Sequence, residues 1–332
     1  MKDLRKRRVS PTNQRSVFAC VLVVILTWAG SFIFIRLALN EVPPVALALA
    51  RFAVATPVLV GSSLYQMRGG RALISALQED PLLFAVLGLT GVTFLYVTQF
   101  YSLALISPTA GSIIINLHVV FAMLLSAALL SERLSGRKVA GVVIAFAGVA
   151  LTAAGSTSAM SLGLLDAVGV LLMVSAAFCW AFYAVLGKRA LEKYSTMTVT
   201  CASFLLGTVF LIPFALADGG VGSLFNASWL TWCSIIYLAI PSSVISYVLW
   251  NHVIREMDVT KVMVSLYVIP IPTAIMSYIF LGEATTYSLI LGGLIVTLGV
   301  FLTESSASTQ SKAPHAESSC EGGALGACRS TS

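Results

Sequence analysis

Charge is scarce in this chain. Of its 332 residues, 10% are charged and 58% are hydrophobic, whereas a soluble domain carries about 25% charged residues. That shortage excludes a water-soluble globular domain and makes lipid the solvent. The net charge of +6 is then no nucleic-acid footprint, because the placement of the charges explains it better. Acid is scarcer than base: all fourteen Asp and Glu fall in loops, tails or span ends. A carrier that exchanges protons for lipophilic cations wants a buried carboxylate, so its absence argues against that mode. Only cation–π contacts with aromatic rings would substitute. None of the six cysteines falls in an inferred external loop. Cys20, Cys179, Cys201 and Cys233 lie in apolar runs, and Cys320 and Cys328 in the tail. No structural disulfide is expected, and the tail pair reads as free thiols rather than metal ligands. No Gly-Lys-Ser/Thr phosphate loop occurs, which argues against direct ATP drive. No cofactor or metal is expected.

What is present is a series of long apolar runs. The first, Val17 to Leu39, is too long for a signal-peptide core and lacks a small-residue cleavage site. It is long enough to cross about 30 Å of hydrocarbon as a helix. Nine more runs follow, near 44–67, 81–105, 109–130, 138–154, 164–187, 196–217, 229–252, 261–281 and 286–303. Helix is the required form, since a lipid-exposed backbone must satisfy its own hydrogen bonds. The fold class expected is all-α integral membrane, with ten transmembrane helices. Residues 1–16 form a basic N-terminal segment, and 304–332, rich in Ser, Ala and Gly, reads as a disordered tail.

Lysine and arginine set the topology. With the N-terminus inside, six basic residues precede Val17. Arg68 and Arg71, then Arg133, Arg137 and Lys138, then Lys188, Arg189 and Lys193, then Arg255 and Lys261, and finally Lys312 and Arg329 also fall inside. The five outer loops hold none, and only Arg36 and Arg51 remain, both within spans. This asymmetry places both termini in the cytoplasm of a multi-pass cell-membrane protein.

The chain also repeats itself. A shift of 151 pairs Thr109 with Thr260, Ser126 with Ser277, Glu132 with Glu283, Gly141 with Gly292, Gly148 with Gly299 and Tyr96 with Tyr247. Near the front of each half the shift is 152, pairing Trp28 with Trp180 and Arg36 with Lys188. One offset held by glycines, glutamates and aromatics is a repeat signal. Ten spans in two copies give five each, and five is odd. The copies at 17–154 and 164–303 would therefore cross the membrane in opposite senses. That is the inverted repeat of many secondary transporters, with the substrate site expected near the midplane.

At this point the residues resemble a family. Thr27-Trp28-Ala29-Gly30-Ser31 with Arg36, Arg51-Phe52, Leu130-Ser131-Glu132-Arg133-Leu134, Cys179-Trp180-Ala181-Phe182-Tyr183, and Pro270 with Leu281-Gly282-Glu283 together look like the drug/metabolite transporter superfamily, in its ten-helix EamA-type branch. The resemblance spans about 17–303. It implies export or exchange of small organic metabolites through a central cavity, with helices 5 and 10 peripheral. Where the pattern expects a proline in helix 4, this chain has Val119, preceded by His118. An equal kink in helix 4 is therefore not expected, and helix 9 is expected to bend more than helix 4 during alternating access.

Ionisable groups inside a membrane are costly and hence candidates. Arg36 lies near the outer end of helix 1 and reads as an interfacial anchor. Arg51 lies deeper. It either pairs with Glu41 or Asp166, or attracts an anionic solute group. His118, mid-helix 4, is either satisfied by a neighbouring hydroxyl, or hydrogen-bonds substrate or couples protons, since its ordinary titration lies near working pH. His252 ends helix 8 at the interface. Trp28, Tyr96, Gln99, Asn116, Trp180, Tyr183, Tyr247, Asn251 and Tyr267 complete the substrate-binding candidates with Arg51 and His118. Aromatic walls with amide and hydroxyl groups suit amino acids and related carboxylated or ring-bearing solutes. The glycines of helices 5 and 10 pack either within the chain or across a homodimer. Glu132 and Glu283 read as structural.

The leading expectation is a secondary carrier working by alternating access, with a small molecule and the bilayer as partners and no nucleic acid. The alternatives are a membrane enzyme and a channel or structural protein. The first would need a nucleophile–base pair or clustered carboxylates; the second, a filter-like loop or acidic ring. The sequence offers neither.

Overall fold

The computed structural model describes residues 11–66, 70–130, 136–155, 164–256, 266–284 and 286–310. Its regular elements are all helical among those residues. Eight helical segments are long and apolar enough to cross a membrane, and two shorter apolar helices follow, Pro270–Leu281 and Tyr287–Leu302. The chain is a multi-pass helical membrane protein.

The helices are α1 (Pro11–Ala38), α2 (Pro44–Gln66), α3 (Arg71–Glu79), α4 (Pro81–Gly88), α5 (Leu95–Leu105), α6 (Pro108–Ile114), α7 (Leu117–Leu130), α8 (Gly136–Gly155), α9 (Leu164–Lys193) and α10 (Thr196–Asp218). After them come α11 (Trp229–Ala239), α12 (Ser246–Glu256), α13 (Pro270–Leu281) and α14 (Tyr287–Gln310). The last continues seven residues into the stretch expected to be disordered; residues 311–332 and Glu132 lie outside the described residues. Local chemistry sets the ends. Ser107, Ser195 and Ser228 each accept a backbone N–H from three residues on, satisfying a donor the first turn leaves free. Gly219 and Gly282 close α10 and α13 at φ 67°, a conformation that costs glycine nothing.

Two spans contain a π-helical turn, and the turns are repeat partners. Leu89–Phe94 joins α4 to α5, and Ile240–Ile245 joins α11 to α12, 151 positions apart. Turns at two further places are again nearly in register, one of them breaking a span outright. The chain turns at Ile115-Asn116 between α6 and α7, and at Tyr267–Ile269 before α13. The expectation that helix 4 lacks an equal kink is therefore corrected. Helix 4 breaks without a proline, and the Ile115 carbonyl at its break receives the His118 ring at 2.9 Å. Pro270 is not an interior kink either. It sits in the first turn of α13, where a missing N–H costs little.

Packing carries the same symmetry. Thr56 and Thr208, partners at 152, share a hydrogen bond of 2.8 Å. Phe52 and Phe204, also partners at 152, meet edge to face at 5.1 Å. Both contacts lie between α2 and α10, the equivalent helices of the two copies. Their rings, with those of Phe84 and Phe100, are among the largest fully buried side chains. On the outside of the bundle α8 lies against α14. Gly148 approaches Gly292 and Val296, while Gly299 approaches Gly141 and Ala145. One number rises as the other falls, so these helices run antiparallel. The glycines expected to pack either within the chain or across a dimer thus pack α8 on α14 within the chain, as small residues allow in lipid.

Polar groups tie the ends. Glu41 accepts both the backbone N–H and the hydroxyl of Ser228 at 2.7 Å. The backbone hydrogen bond foremost, and then the hydroxyl, hold its carboxyl below the usual range. At the opposite end of the spans Lys193 bridges Glu79 (3.0 Å) and Asp80 (2.8 Å). Its hydrogen bond, with that of Tyr194, lowers the Asp80 carboxyl. Glu283 accepts the buried Ser277 hydroxyl at the end of α13, a structural role as expected.

Candidate functional site

Arg51 organises the centre of the bundle. It lies on α2, 2% exposed. Its Nε donates to Ser243 Oγ at 2.9 Å and Nη2 to Ser242 Oγ at 3.3 Å. Both serines sit on the second π-helical turn, which presents neighbouring hydroxyls to one guanidinium. The guanidinium also lies 4.5 Å from the Tyr96 ring centre and 5.5 Å from that of Phe52. The expected partners do not reach it. Glu41 is held by Ser228, and among the described residues the only carboxylate–cation bridges are those of Lys193. Among the described residues no buried polar side-chain atom lacks a partner. Arg51 Nη1, which has none, therefore opens onto the adjoining cavity.

That cavity holds about 100 Å³, room for several waters, each needing about 10–15 Å³ by the same measure, or for part of a small solute. Eight of the eleven sequence candidates line it: Trp28, Arg51, Tyr96, Gln99, Asn116, His118, Trp180 and Tyr247. No lining residue comes from α8 or α14, in keeping with peripheral fifth and tenth spans. Four lining pairs are repeat partners, namely Trp28 with Trp180, Tyr96 with Tyr247, Ile115 with Leu266, and His118 with Ile269. The cavity is therefore lined by equivalent positions of both copies.

Its wall is aromatic. Trp28 and Trp180 flank Tyr247 at 6.1 and 6.4 Å, and Tyr247 meets Phe204 at 5.1 Å. Such contacts fix ring orientation as well as burying area. Trp28 Nε1 donates to the Ser242 carbonyl at 3.1 Å, which ties α1 to the same π-helical turn. The broken fourth span supplies the polar part. His118 Nδ1 meets a carbonyl, so it carries the proton, and Nε2 is left as an acceptor when the ring is neutral. The partner is the Ile115 backbone carbonyl at the break, which also accepts the His118 backbone N–H at 3.0 Å, rather than the expected hydroxyl. Asn116, 4% exposed, and Gln99 make no side-chain hydrogen bond among the described residues, and their amides, like Arg51 Nη1, are open to the cavity.

Three candidates lie elsewhere. Tyr183 stacks on Trp180 at 5.6 Å and fills the space above Gly91, where a Cβ would come 2.3 Å from its ring. Tyr267 is buried in the turn before α13, between Leu266 and Ile269 of the wall. The Asn251 and His252 side chains lie outside the described residues. Sequence reasoning missed Ser31, Ser242 and Ser243. The signal for the last two was a pair of hydroxyls beside Pro241 in the middle of an apolar run.

Arg36 belongs to the frame. Its Nη1 donates to the Leu103 and Ala104 carbonyls at 2.9 and 2.8 Å, the last turn of α5, whose carbonyls have no helical partner. It anchors a helix end rather than the interface. Arg36→Ala is expected to lower stability by about 1–3 kcal/mol and leave solute affinity unchanged. Thermal denaturation in detergent and equilibrium binding check the two halves of that statement.

A polytopic helical bundle of two repeats, with an aromatic cavity lined by both, has the build of a membrane carrier. The EamA-like transporter family matches residues 15–154 and again 167–305, and the chain belongs to it. It is 39% identical over 288 residues to an uncharacterized transporter of Archaeoglobus fulgidus, covering 85% of this chain and 94% of that one. It is 28% identical to a probable terminal-alkyne amino-acid exporter of Streptantibioticus cattleyicolor, covering 87% and 93%. It is 24% identical to a probable amino-acid metabolite efflux pump of Salmonella typhimurium, covering 85% and 92%. A solved crystal structure shares the fold at a TM-score of 0.59 and 20% identity, over 90% of this chain and 99% of the other. The protein is a membrane transporter.

Proposed function

We propose that the chain moves a small organic carboxylate of the amino-acid-related class by alternating access, as an exporter or exchanger. The observation that carries this reading is Arg51, a buried cation on the cavity wall with no carboxylate partner and one nitrogen turned to the cavity. A buried charge is costly unless paired, and a solute carboxylate supplies the pair. Asn116, Gln99 and His118 offer the hydrogen bonds beside it. Trp28, Trp180, Tyr96 and Tyr247 receive an aromatic or apolar tail, with Tyr183 and Tyr267 behind them; Asn251 remains a candidate from the sequence. Two relatives bear names of amino-acid or amino-acid metabolite export, which favours this solute class.

The ten-span reading with two inverted five-helix units is part of the proposal. It is supported by the antiparallel contact of α8 with α14, whose glycines are repeat partners, and by basic residues confined to one side. Paired π-helical turns and further turns nearly in register offer each half the same places to bend, as interrupted helices do in many carriers. Both termini are then cytoplasmic and the membrane is the cell membrane. Counterflow in proteoliposomes with a pooled metabolite mixture, with and without a pH gradient, tests the function. Selective accumulation of carboxylates is expected. Accumulation of cations or sugars alone, or no movement by folded protein, contradicts it.

A further inference from the structure

The two halves of the cavity are unequal, and the inequality bears on the solute's charge. Arg51, Asn116, His118, Gln99 and Ser31 all belong to the first repeat. Their partners in the second are Ser203, Tyr267, Ile269, Trp250 and Tyr183. The cation, the free amides and the free imidazole nitrogen thus come from one repeat alone, while the other answers them mostly with rings or an aliphatic chain. Among the described residues no carboxylate borders the cavity, and no Asp or Glu lies mid-span in the sequence.

The charge count follows. The wall holds one fixed positive charge and no negative one. A solute with a single carboxylate neutralises it. A zwitterionic amino acid does not: its ammonium sits within a few ångströms of its own carboxylate, and hence near Arg51. The aromatic face nearest the carboxylate, that of Tyr96, is already covered by the guanidinium at 4.5 Å. Such a complex leaves a net positive charge in a poorly hydrated site, which is costly. Asn116 and Gln99 each offer an N–H donor and a C=O acceptor, and His118 Nε2 a further acceptor. That set serves an amide, donating to its C=O and accepting its N–H.

We infer that the solute is a monoanion without an ionised amine: a carboxylate bearing an aromatic or apolar tail, whose nitrogen, where it has one, is acylated. The inference rests on the carboxylate reading above and narrows it. Its test is equilibrium binding to the purified full-length protein, followed by counterflow, with four probes that share a phenyl tail. These are 3-phenylpropanoate, N-acetyl-L-phenylalanine, L-phenylalanine and L-phenylalaninamide. Either amine-free or acylated carboxylate is expected to bind at least about tenfold more tightly than L-phenylalanine, reflecting the uncompensated charge, and L-phenylalaninamide not at all. L-Phenylalanine binding as tightly as both of these carboxylates, or more tightly, overturns the inference and leaves the carboxylate reading standing. Tight L-phenylalaninamide with weak carboxylates, or no binding of any carboxylate to folded protein, overturns both.

Discussion

Arg51→Ala is expected to abolish useful affinity for carboxylated solutes while leaving the protein folded. Removing one member of a buried ion pair costs about 3–5 kcal/mol, and each 1.4 kcal/mol is about a factor of ten, so affinity should fall by about two to three and a half powers of ten. The free protein gains rather than loses, because the variant no longer buries an unpaired cation. Its melting temperature in detergent should be unchanged or higher. A structural arginine would behave the opposite way, with lower stability and unaltered binding, and that pattern would remove Arg51 from the site. Arg51→Lys keeps the charge but loses the fork that reaches Ser242 and Ser243 while leaving a nitrogen free. It should fall between the two. The contrast with Arg36→Ala, which costs stability and not affinity, separates the two intramembrane arginines by function.

Gly299→Leu is expected to give the largest loss of stability. A Cβ at Gly299 would lie 2.4 Å from the Ala145 backbone nitrogen and 2.7 Å from its Cα. Backbone cannot swing aside as a side chain can, so α8 and α14 must separate. Overpacking of this kind costs about 1–3 kcal/mol and sometimes more, and here the lost helix contact adds to it. Loss of monodispersity on size exclusion and a clear fall in melting temperature should follow. Gly61→Leu serves as the control, since nothing lies within 4 Å of a Cβ there. Equal behaviour of the two variants would mean that the α8–α14 contact contributes little.

Much of this arrangement was legible in the sequence because it is written twice. The offset that pairs Gly148 with Gly299 and Tyr96 with Tyr247 reappears as physical contact, in α8 against α14 and in rings on both sides of one cavity. Residue types that lipid makes costly were equally legible, and Arg51 and His118 both line the cavity. The rest depends on contacts distant in sequence. Ser242 and Ser243 lie more than 190 positions from the arginine they hold. Neither Leu89–Phe94 nor Ile115-Asn116 contains a proline, so the irregular backbone there has no local mark. What could have flagged it is the partner segment. Pro241 sits in the matching π-helical turn and Pro270 just after the matching turn before α13. The two halves bend at equivalent places although only one carries the residues that advertise bending.

The account stands or falls on where a solute's carboxylate goes. A structure of the full-length protein with 3-phenylpropanoate bound measures this directly. The account predicts a carboxylate oxygen about 2.8 Å from the Arg51 guanidinium, with the phenyl ring among Trp28, Trp180 and Tyr247. A carboxylate more than about 4 Å from Arg51, beyond ion-pair range, or a cavity left empty at saturating solute, would contradict it.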